Sequence, residues 1–127
     1  MKLESVALNG KEVLQENPVL HDDMLHTSNM VRAIFESGQK FSVADLAYSA
    51  HAYLANGLAA LATEQAMELG VKDVGFSGGA ACNQILAKVM RKAVEAAGLR
   101  FWVHEAVPAG DGGVSFGQAV VGGFSRF

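Results

Sequence analysis

The sequence predicts an α/β fold in which a long helix precedes a parallel β-turn-α-β-turn-α unit. One observation is a β-branched and apolar run, Val71–Phe76, that leads through a Ser-Gly-Gly turn into a helical pattern. A second is that this order repeats, because the strand-like run Leu99–His104 leads through a Gly-Asp-Gly-Gly turn into a last helix. Two strands joined by a helix are expected to pair in parallel, with a right-handed crossover.

Composition supports one folded domain and argues against several classes of function. Half of the 127 residues are hydrophobic and 18% are charged, so the chain can bury a core. The net charge is −3 and no more than two basic residues stand in succession, unlike the basic footprint of a nucleic-acid-binding protein. The one cysteine, Cys82, permits neither an internal disulfide nor a multi-cysteine zinc site, as is typical of a reducing compartment.

The N-terminus lacks the long apolar stretch of a signal peptide, and no apolar run approaches the roughly 20 residues of a membrane span. We therefore expect a cytoplasmic protein whose partners include neither nucleic acid nor a membrane. Residues 1–27 are interpreted as an N-terminal extension. Within it Lys2–Leu8 fits a short strand, whereas 18-PVLHDDMLH-26 has no clear period and its metal-capable side chains are expected in a solvated loop.

Residues 28–127 are predicted to form one lobe that begins with two helices. A short helix starts at Ser28 and ends at Gly38, since glycine favours the left-handed conformation that closes a helix. A long helix covers Ser42–Leu69, with its first residue as N-cap and Asp45 three residues later, close to a capping box. Dense alanines favour this helix and let a neighbouring backbone approach closely.

Each predicted strand is followed by a glycine turn and then by a helix. The first glycine turn, Ser77-Gly78-Gly79, leads to a helix over Asn83–Ala97 that Gly98 caps. The second, Gly110-Asp111-Gly112-Gly113, leads to a last helix over Val114–Val121. Because the carboxyl ends of parallel strands meet at one edge of a sheet, both turns are expected at that edge.

These turns are either ordinary strand-to-helix connections or parts of a phosphate site. In a phosphate site the helix N-termini would supply free N–H groups, and glycines would let the ligand approach the backbone. Asp111 would then hold a divalent cation that neutralises the phosphates. Neither a Walker A loop nor a dinucleotide fingerprint fits, since the stretch 75-GFSGGAACN-83 contains no lysine and the glycine spacing differs.

A serine hydrolase is a further alternative. The stretch 75-GFSGG-79 fits G-x-S-x-G on a strand-turn-helix, which would make Ser77 the nucleophile, with Glu95 as the acid and His104 as the base. The position of Glu95 within a predicted helix and the short chain weigh against this alternative.

The two glycine turns together resemble those of a known family. The stretches 77-SGGAACNQIL-86 and 107-VPAGDGGVSFGQA-119 are similar to S-G-G-x-x-x-N and V-P-x-x-D-G-G-x-x-x-G-Q of the HypF-type carbamoyltransferases, which take part in hydrogenase maturation. The preceding 46-LAYSAHAYLANGLAALA-62 resembles the family helix before the first motif, with His51 at its Phe-His position. The likeness covers roughly residues 30–119 and extends to the tRNA threonylcarbamoyl transferases.

The resemblance implies one lobe of an actin-like, Hsp70-like ATPase fold that binds ATP or carbamoyl-adenylate with a divalent metal. It implies that Asp111 is the metal ligand. The nucleotide-binding residues that it implies are Ser77, Gly78, Gly79, Asn83, Gly112 and Gly113. The implied activity is the transfer of a carbamoyl group from carbamoyl-adenylate to a cysteine of a partner protein, in the maturation of nickel-iron hydrogenase.

Two departures from the family pattern imply half a site. Ala-Ala-Cys replaces the usual apolar-Phe-Gln between the glycines and Asn83, and the chain has no H-x-x-x-H pair for the other metal ligands. Those ligands are expected in a preceding lobe. The implied partners are that missing N-terminal lobe or a second copy of the chain, and a hydrogenase maturation protein as carbamoyl acceptor. The alternative is a non-catalytic module that binds a nucleotide or a protein.

Four other side chains are expected to have plainer roles. Cys82 is interpreted as a small buried residue, and His51 as a packed or hydrogen-bonded residue of the long helix. His104 is expected to be exposed at the end of the second strand. Trp102 is expected to pack on the sheet, with a partner for its N–H group.

Overall fold

The computed structural model describes residues 2–124, so the last three residues of the predicted lobe 28–127 lie outside the described part. Strands β3 (Asp73–Phe76) and β4 (Arg100–Val103) pair in parallel, with Asp73 opposite Arg100 and Phe76 opposite Val103. Helix α4 (Gln84–Ala96) connects them. The predicted parallel unit is therefore confirmed, with each strand shorter than its sequence pattern.

The long helix is confirmed as α3 (Val43–Glu68). Its N-cap is Ser42, whose hydroxyl oxygen accepts the backbone N–H of Asp45 at 3.1 Å, as the near capping box predicts. The alanines of α3 lie against α4 and the sheet, and their small side chains allow this close packing. The main core cluster consists of Ala55, Ala59, Ala66, Val74, Leu86, Met90, Val94 and Phe101.

The strand predicted at Lys2–Leu8 is wrong, because this segment forms helix α1 (Lys2–Ala7). Ala7 is fully buried against Ala47 and Ile85, so α1 packs on the face shared by α3 and α4. Within residues 2–124 no strand pairs with this segment. Lysine, leucine, glutamate and alanine also favour a helix here. The segment that follows α1 is tied to α3, since the backbone N–H groups of residues 13 and 14 donate to the Ser49 hydroxyl.

The stretch without a clear period folds as a hairpin of β1 (Val19–His21) and β2 (Met24–His26). Its two-residue turn places Asp22 and Asp23 at φ 51° and 57°, a left-handed conformation that aspartate tolerates. The buried hydroxyl of Tyr53 joins the hairpin to α3, because it donates to the carbonyl of His26 at 2.5 Å and accepts the N–H of Val19 at 3.2 Å.

Helix α2 (Ser28–Ser37) ends at Gly38 with φ 55°, as predicted. Of the apolar side chains of α2, Met30 is buried, whereas Val31 and Phe35 are 62% and 86% exposed.

Helix α5 (Asp111–Phe124) is apolar and has no buried residue. A helix that is apolar on most sides is normally covered by other protein. In residues 2–124 no helix combines the length and the apolar character needed to cross a membrane.

Candidate functional site

The two glycine turns meet at one edge of the sheet, as predicted. Phe76 pairs with Val103, so the next residue of each chain segment, Ser77 and His104, stands at the end of its strand, and Ser77 Oγ lies 2.9 Å from His104 Nε2. The backbone N–H of Gly78 donates to the carbonyl of Ala109 at 2.8 Å. This hydrogen bond holds the first glycine turn beside the loop that leads into the second.

The first glycine turn depends on Gly78 for its shape. Gly78 has φ 92° and ψ 179°, a conformation that a residue with a Cβ atom adopts only with strain. A short 3-10 helix, Gly79–Cys82, follows it on the surface. Cys82 is exposed there, so its interpretation as a buried residue is wrong, because the 3-10 turn directs Asn83 inward in its place.

Asn83 has a clear structural role as the N-cap of α4. Its side-chain oxygen accepts the backbone N–H groups of Ile85 and Leu86, each at 3.0 Å, and the residue is only 1% exposed. These bonds satisfy donors that the helix itself leaves without partners. Contact between Asn83 and a nucleotide stays a prediction.

The second glycine turn opens α5, whose first residue is Asp111. A Cβ atom at Gly113 would overlap the carbonyl oxygen of Pro108, so the packing of this loop requires glycine there. A Cβ atom at Gly112 would lie 3.3 Å from Pro108 Cγ, which is a tight contact.

Other glycines of the two turns leave the backbone open. A Cβ atom at Gly79 or at Gly110 would meet no heavy atom of residues 2–124 within 4 Å, and neither residue has a left-handed φ. The folding of the described chain therefore gives no reason for glycine at these two positions. A ligand or another protein segment that approaches this backbone would give one.

Asp111 is exposed and is the one acidic residue of the second glycine turn. Within the described chain no group of three or more His, Cys, Asp and Glu side chains is arranged to hold a metal ion. His51 does not add a ligand at this edge, because its ring is buried in α3 with Nδ1 2.7 Å from the carbonyl of Ala47, as its plainer interpretation predicts. A metal at Asp111 would need its other ligands from a nucleotide or from another lobe.

The predicted hydrolase triad forms only in part. Ser77 and His104 are hydrogen-bonded, but Glu95 forms an ion pair with Arg91 one turn before it on α4, at 3.3 Å. No side chain of residues 2–124 makes a hydrogen bond to Nδ1 of His104, so the group that would orient the base is absent from the described residues.

The face of the sheet that α3 and α4 do not cover carries an ion pair. Arg100 donates to Asp73 at 2.6 Å, and the Trp102 N–H donates to the same carboxylate at 2.7 Å. The hydrogen bond from Arg100, followed by that from Trp102, lowers the pKa of Asp73, and Asp73 in turn raises the pKa of Arg100. Trp102 is 58% exposed, so its predicted packing on the sheet is wrong, while the predicted partner for its N–H is confirmed.

The family model for the carbamoyltransferase, Kae1-like domain, second subdomain, matches residues 1–118. The chain belongs to the HypF carbamoyltransferase family. It is 31% identical over 121 residues to the probable carbamoyltransferase HypF of Methanocaldococcus jannaschii, covering 94% of this chain and 16% of that protein. It is also 31% identical over 118 residues to the carbamoyltransferase HypF homolog of Cupriavidus necator, covering 91% of this chain and 30% of that protein.

Solved HypF structures share this fold. The crystal structure of T. kodakarensis HypF matches with a TM-score of 0.83 and 45% identity over 96% of this chain and 16% of that chain. A full-length HypF in the phosphate- and nucleotide-bound form matches with a TM-score of 0.79 and 28% identity over 95% of this chain and 16% of that chain. The predicted α/β fold and the family resemblance are thus confirmed. The present chain spans less than a third of either curated relative, so it corresponds to one part of a HypF protein.

Proposed function

We propose that this chain is the nucleotide- and metal-binding half of a HypF-type carbamoyltransferase. The observation that carries this proposal is the open space beside the backbone of Gly79 and Gly110. Both residues lie at the edge of the sheet where a hydrogen bond from Gly78 to Ala109 joins the two strand-to-helix loops. Such an edge suits phosphate groups, because glycine lets a ligand approach the backbone and the N-terminus of α5 carries partial positive charge. A HypF relative with a nucleotide- and phosphate-bound structure supports the choice of ligand.

In this proposal each part of the edge has a separate task. The backbone of the first glycine turn receives the phosphates of ATP or carbamoyl-adenylate, and Ser77 donates a hydrogen bond to them. Asp111 supplies one carboxylate oxygen to a divalent metal. A magnesium ion held by one carboxylate commonly completes its shell with water and substrate phosphates, so a single aspartate fits this role. Gly113 keeps the loop closed over Pro108 and so fixes the direction of Asp111.

The proposed activity is that implied by the family. The carbamoyl group of carbamoyl-adenylate passes to a cysteine of a partner protein, in the cytoplasmic maturation of nickel-iron hydrogenase. The role of the present half is to hold the nucleotide and to stabilise negative charge at its phosphates. A non-catalytic module would bind the nucleotide without supporting transfer once the remaining HypF domains are supplied.

We propose that the preceding lobe of a HypF protein covers the exposed surface of this chain. Helix α5 exposes Phe116, Val121 and Phe124 by 56%, 67% and 84%, and the open face of the sheet exposes Trp102. Apolar patches of this kind mark interaction surfaces, and a parallel sheet is normally covered on both faces. Self-association through α5 is the alternative, and sedimentation of the purified chain separates the two, because only self-association produces dimers that depend on concentration.

Calorimetric titration of the purified chain with ATP, with and without magnesium, tests the nucleotide site. We expect saturable binding that weakens when magnesium is removed or when Asp111 is replaced in Asp111→Ala. Glu64→Ala is the matched control, since it removes an exposed carboxylate from α3. If Asp111→Ala binds ATP with magnesium as tightly as the control variant does, the proposed metal role of Asp111 is refuted.

A further inference from the structure

The edge of the sheet that carries the two glycine turns, residues 77–79 and 110–113, is called the glycine edge. The hydrogen bond between Ser77 and His104 is a feature of this edge that the proposed function leaves unexplained. The two residues are 27 positions apart in sequence, and the parallel register of β3 and β4 brings them together. Both side chains are exposed, so the bond lies at the surface. An exposed hydrogen bond contributes little to folding, because water replaces it readily in the unfolded chain. A role in stability therefore does not account for the pair.

The direction of this hydrogen bond determines what Ser77 can offer to a ligand. A serine hydroxyl has one hydrogen atom. If Ser77 donates that hydrogen to an unprotonated Nε2, only oxygen lone pairs face the turn, and they repel a phosphate. If Nε2 carries a hydrogen and donates it to Oγ, the serine hydrogen is free to point at a phosphate oxygen.

The surroundings of His104 allow either tautomer of its ring, with the hydrogen on Nδ1 or on Nε2. No side chain of the described residues bonds to Nδ1, so nothing in residues 2–124 locks the ring in one tautomer. Among residues 2–124 the one other acceptor bonded by the serine hydroxyl is the carbonyl of Ala109, at 3.5 Å, which is too long for a strong hydrogen bond. The hydrogen of the Ser77 hydroxyl can therefore point inward to Nε2 of His104 or outward to a ligand.

We propose that His104 is a positioning residue that makes Ser77 a hydrogen-bond donor to a phosphate oxygen of the bound nucleotide. The ligand draws the Ser77 hydrogen outward, and Nε2–H of His104 replaces it as the donor inside the pair. This inference rests on the proposed nucleotide site and adds to it a specificity for phosphate over the nucleoside.

Calorimetric titration of the full chain with ATP and with adenosine tests the inference. A hydrogen bond to a charged phosphate makes a difference of about tenfold or more in affinity, so Ser77→Ala is expected to weaken ATP binding by about that factor. His104→Ala is expected to weaken it by several-fold. The double variant is expected to be no weaker than Ser77→Ala alone, because the histidine acts through the serine. Adenosine affinity is expected to be the same in all four proteins.

The variant His104→Gln keeps an N–H donor near Ser77 and is expected to restore most of the ATP affinity. Nitrogen-15 NMR spectra of the histidine rings in the wild-type chain are expected to show that Nε2 of His104 carries a hydrogen when ATP is bound. Equal thermal midpoints of the single variants exclude a loss of fold as the cause.

Two failures are distinguishable. If the wild-type chain binds ATP but His104→Ala binds it as tightly, or if the two single losses multiply in the double variant, the positioning role is overturned and the nucleotide site stands. If the wild-type chain shows no ATP binding, the proposed site and the role of His104 are both overturned for this chain.

Discussion

Replacement of Asn83 by alanine is expected to destabilise the fold whether or not a nucleotide binds. Asn83 is 1% exposed, and its oxygen accepts two backbone N–H groups at the start of α4, each at 3.0 Å. Alanine removes this acceptor and leaves both donors in a region from which water is excluded. The N-terminus of α4 packs next to Ala7 of α1, so water cannot enter freely to replace the lost oxygen.

The magnitude follows from these two donors. Loss of an N-cap costs about 0.5–2 kcal/mol, and a buried donor without a partner costs about 1–3 kcal/mol. We expect Asn83→Ala to lower the free energy of unfolding by about 2–3 kcal/mol. The matched control is Ser42→Ala at the start of α3, where an exposed cap accepts one backbone N–H at 3.1 Å. Its expected cost is about 0.5–1 kcal/mol, because water replaces the hydroxyl there.

Urea unfolding followed by far-ultraviolet circular dichroism measures both variants against the wild-type chain. Asn83→Ser supplies a second control, since serine keeps an oxygen at the N-cap and should recover at least half of the loss. If Asn83→Ala lowers the free energy of unfolding by no more than Ser42→Ala does, the buried N-cap stabilises the fold no more than the exposed one. The reasoning from burial would then be refuted.

Three further results are expected. Gly78→Ala should lower the free energy of unfolding, measured in urea, by about 1–3 kcal/mol, because Gly78 has a left-handed φ. Gly79→Ala should keep the free energy of unfolding within about 0.5 kcal/mol of wild type but should weaken ATP binding measured by calorimetry. Because Arg100 lowers the pKa of Asp73 below 3.8, the ionised carboxylate stabilises the fold above that pH; the difference in urea midpoint between wild type and Asp73→Asn should therefore shrink as pH falls below 3.8. Tyr53→Phe should cost about 1–3 kcal/mol and speed amide hydrogen exchange in the β1–β2 hairpin, since the hydroxyl bonds to both strands.

The regular elements of this fold were predictable because their signals are local. Helix α3 has a strong N-cap at Ser42 and dense alanine, and the βαβα unit has a strand pattern, a glycine turn and an amphipathic helix in the right order. The shared edge of the two glycine turns followed from parallel pairing alone.

The N-terminal segment was not predictable from local signals, because tertiary contacts determine it. Helix α1 is too short to be stable alone and depends on the buried contact of Ala7. The hairpin has strands of three residues, and its turn uses two aspartates in place of the Asn-Gly pair that marks such turns most clearly. The Tyr53 hydroxyl accepts a hydrogen bond from β1 and donates one to β2 across more than 25 positions, and periodicity carries no signal for such contacts.

The motif residues of the glycine edge divide into two groups that the sequence alone does not separate. Asn83 and Gly113 are explained by the packing of this chain, as an N-cap and as a loop closed over Pro108. Gly79, Gly110 and the Ser77–His104 pair have no such explanation, because they face open space or form an exposed bond. Loss of nucleotide binding in a variant of the first group is therefore weak evidence for a ligand contact, since it follows from a damaged fold. Variants of the second group and of the exposed Asp111, when their unfolding free energy stays unchanged, test whether this edge binds a nucleotide.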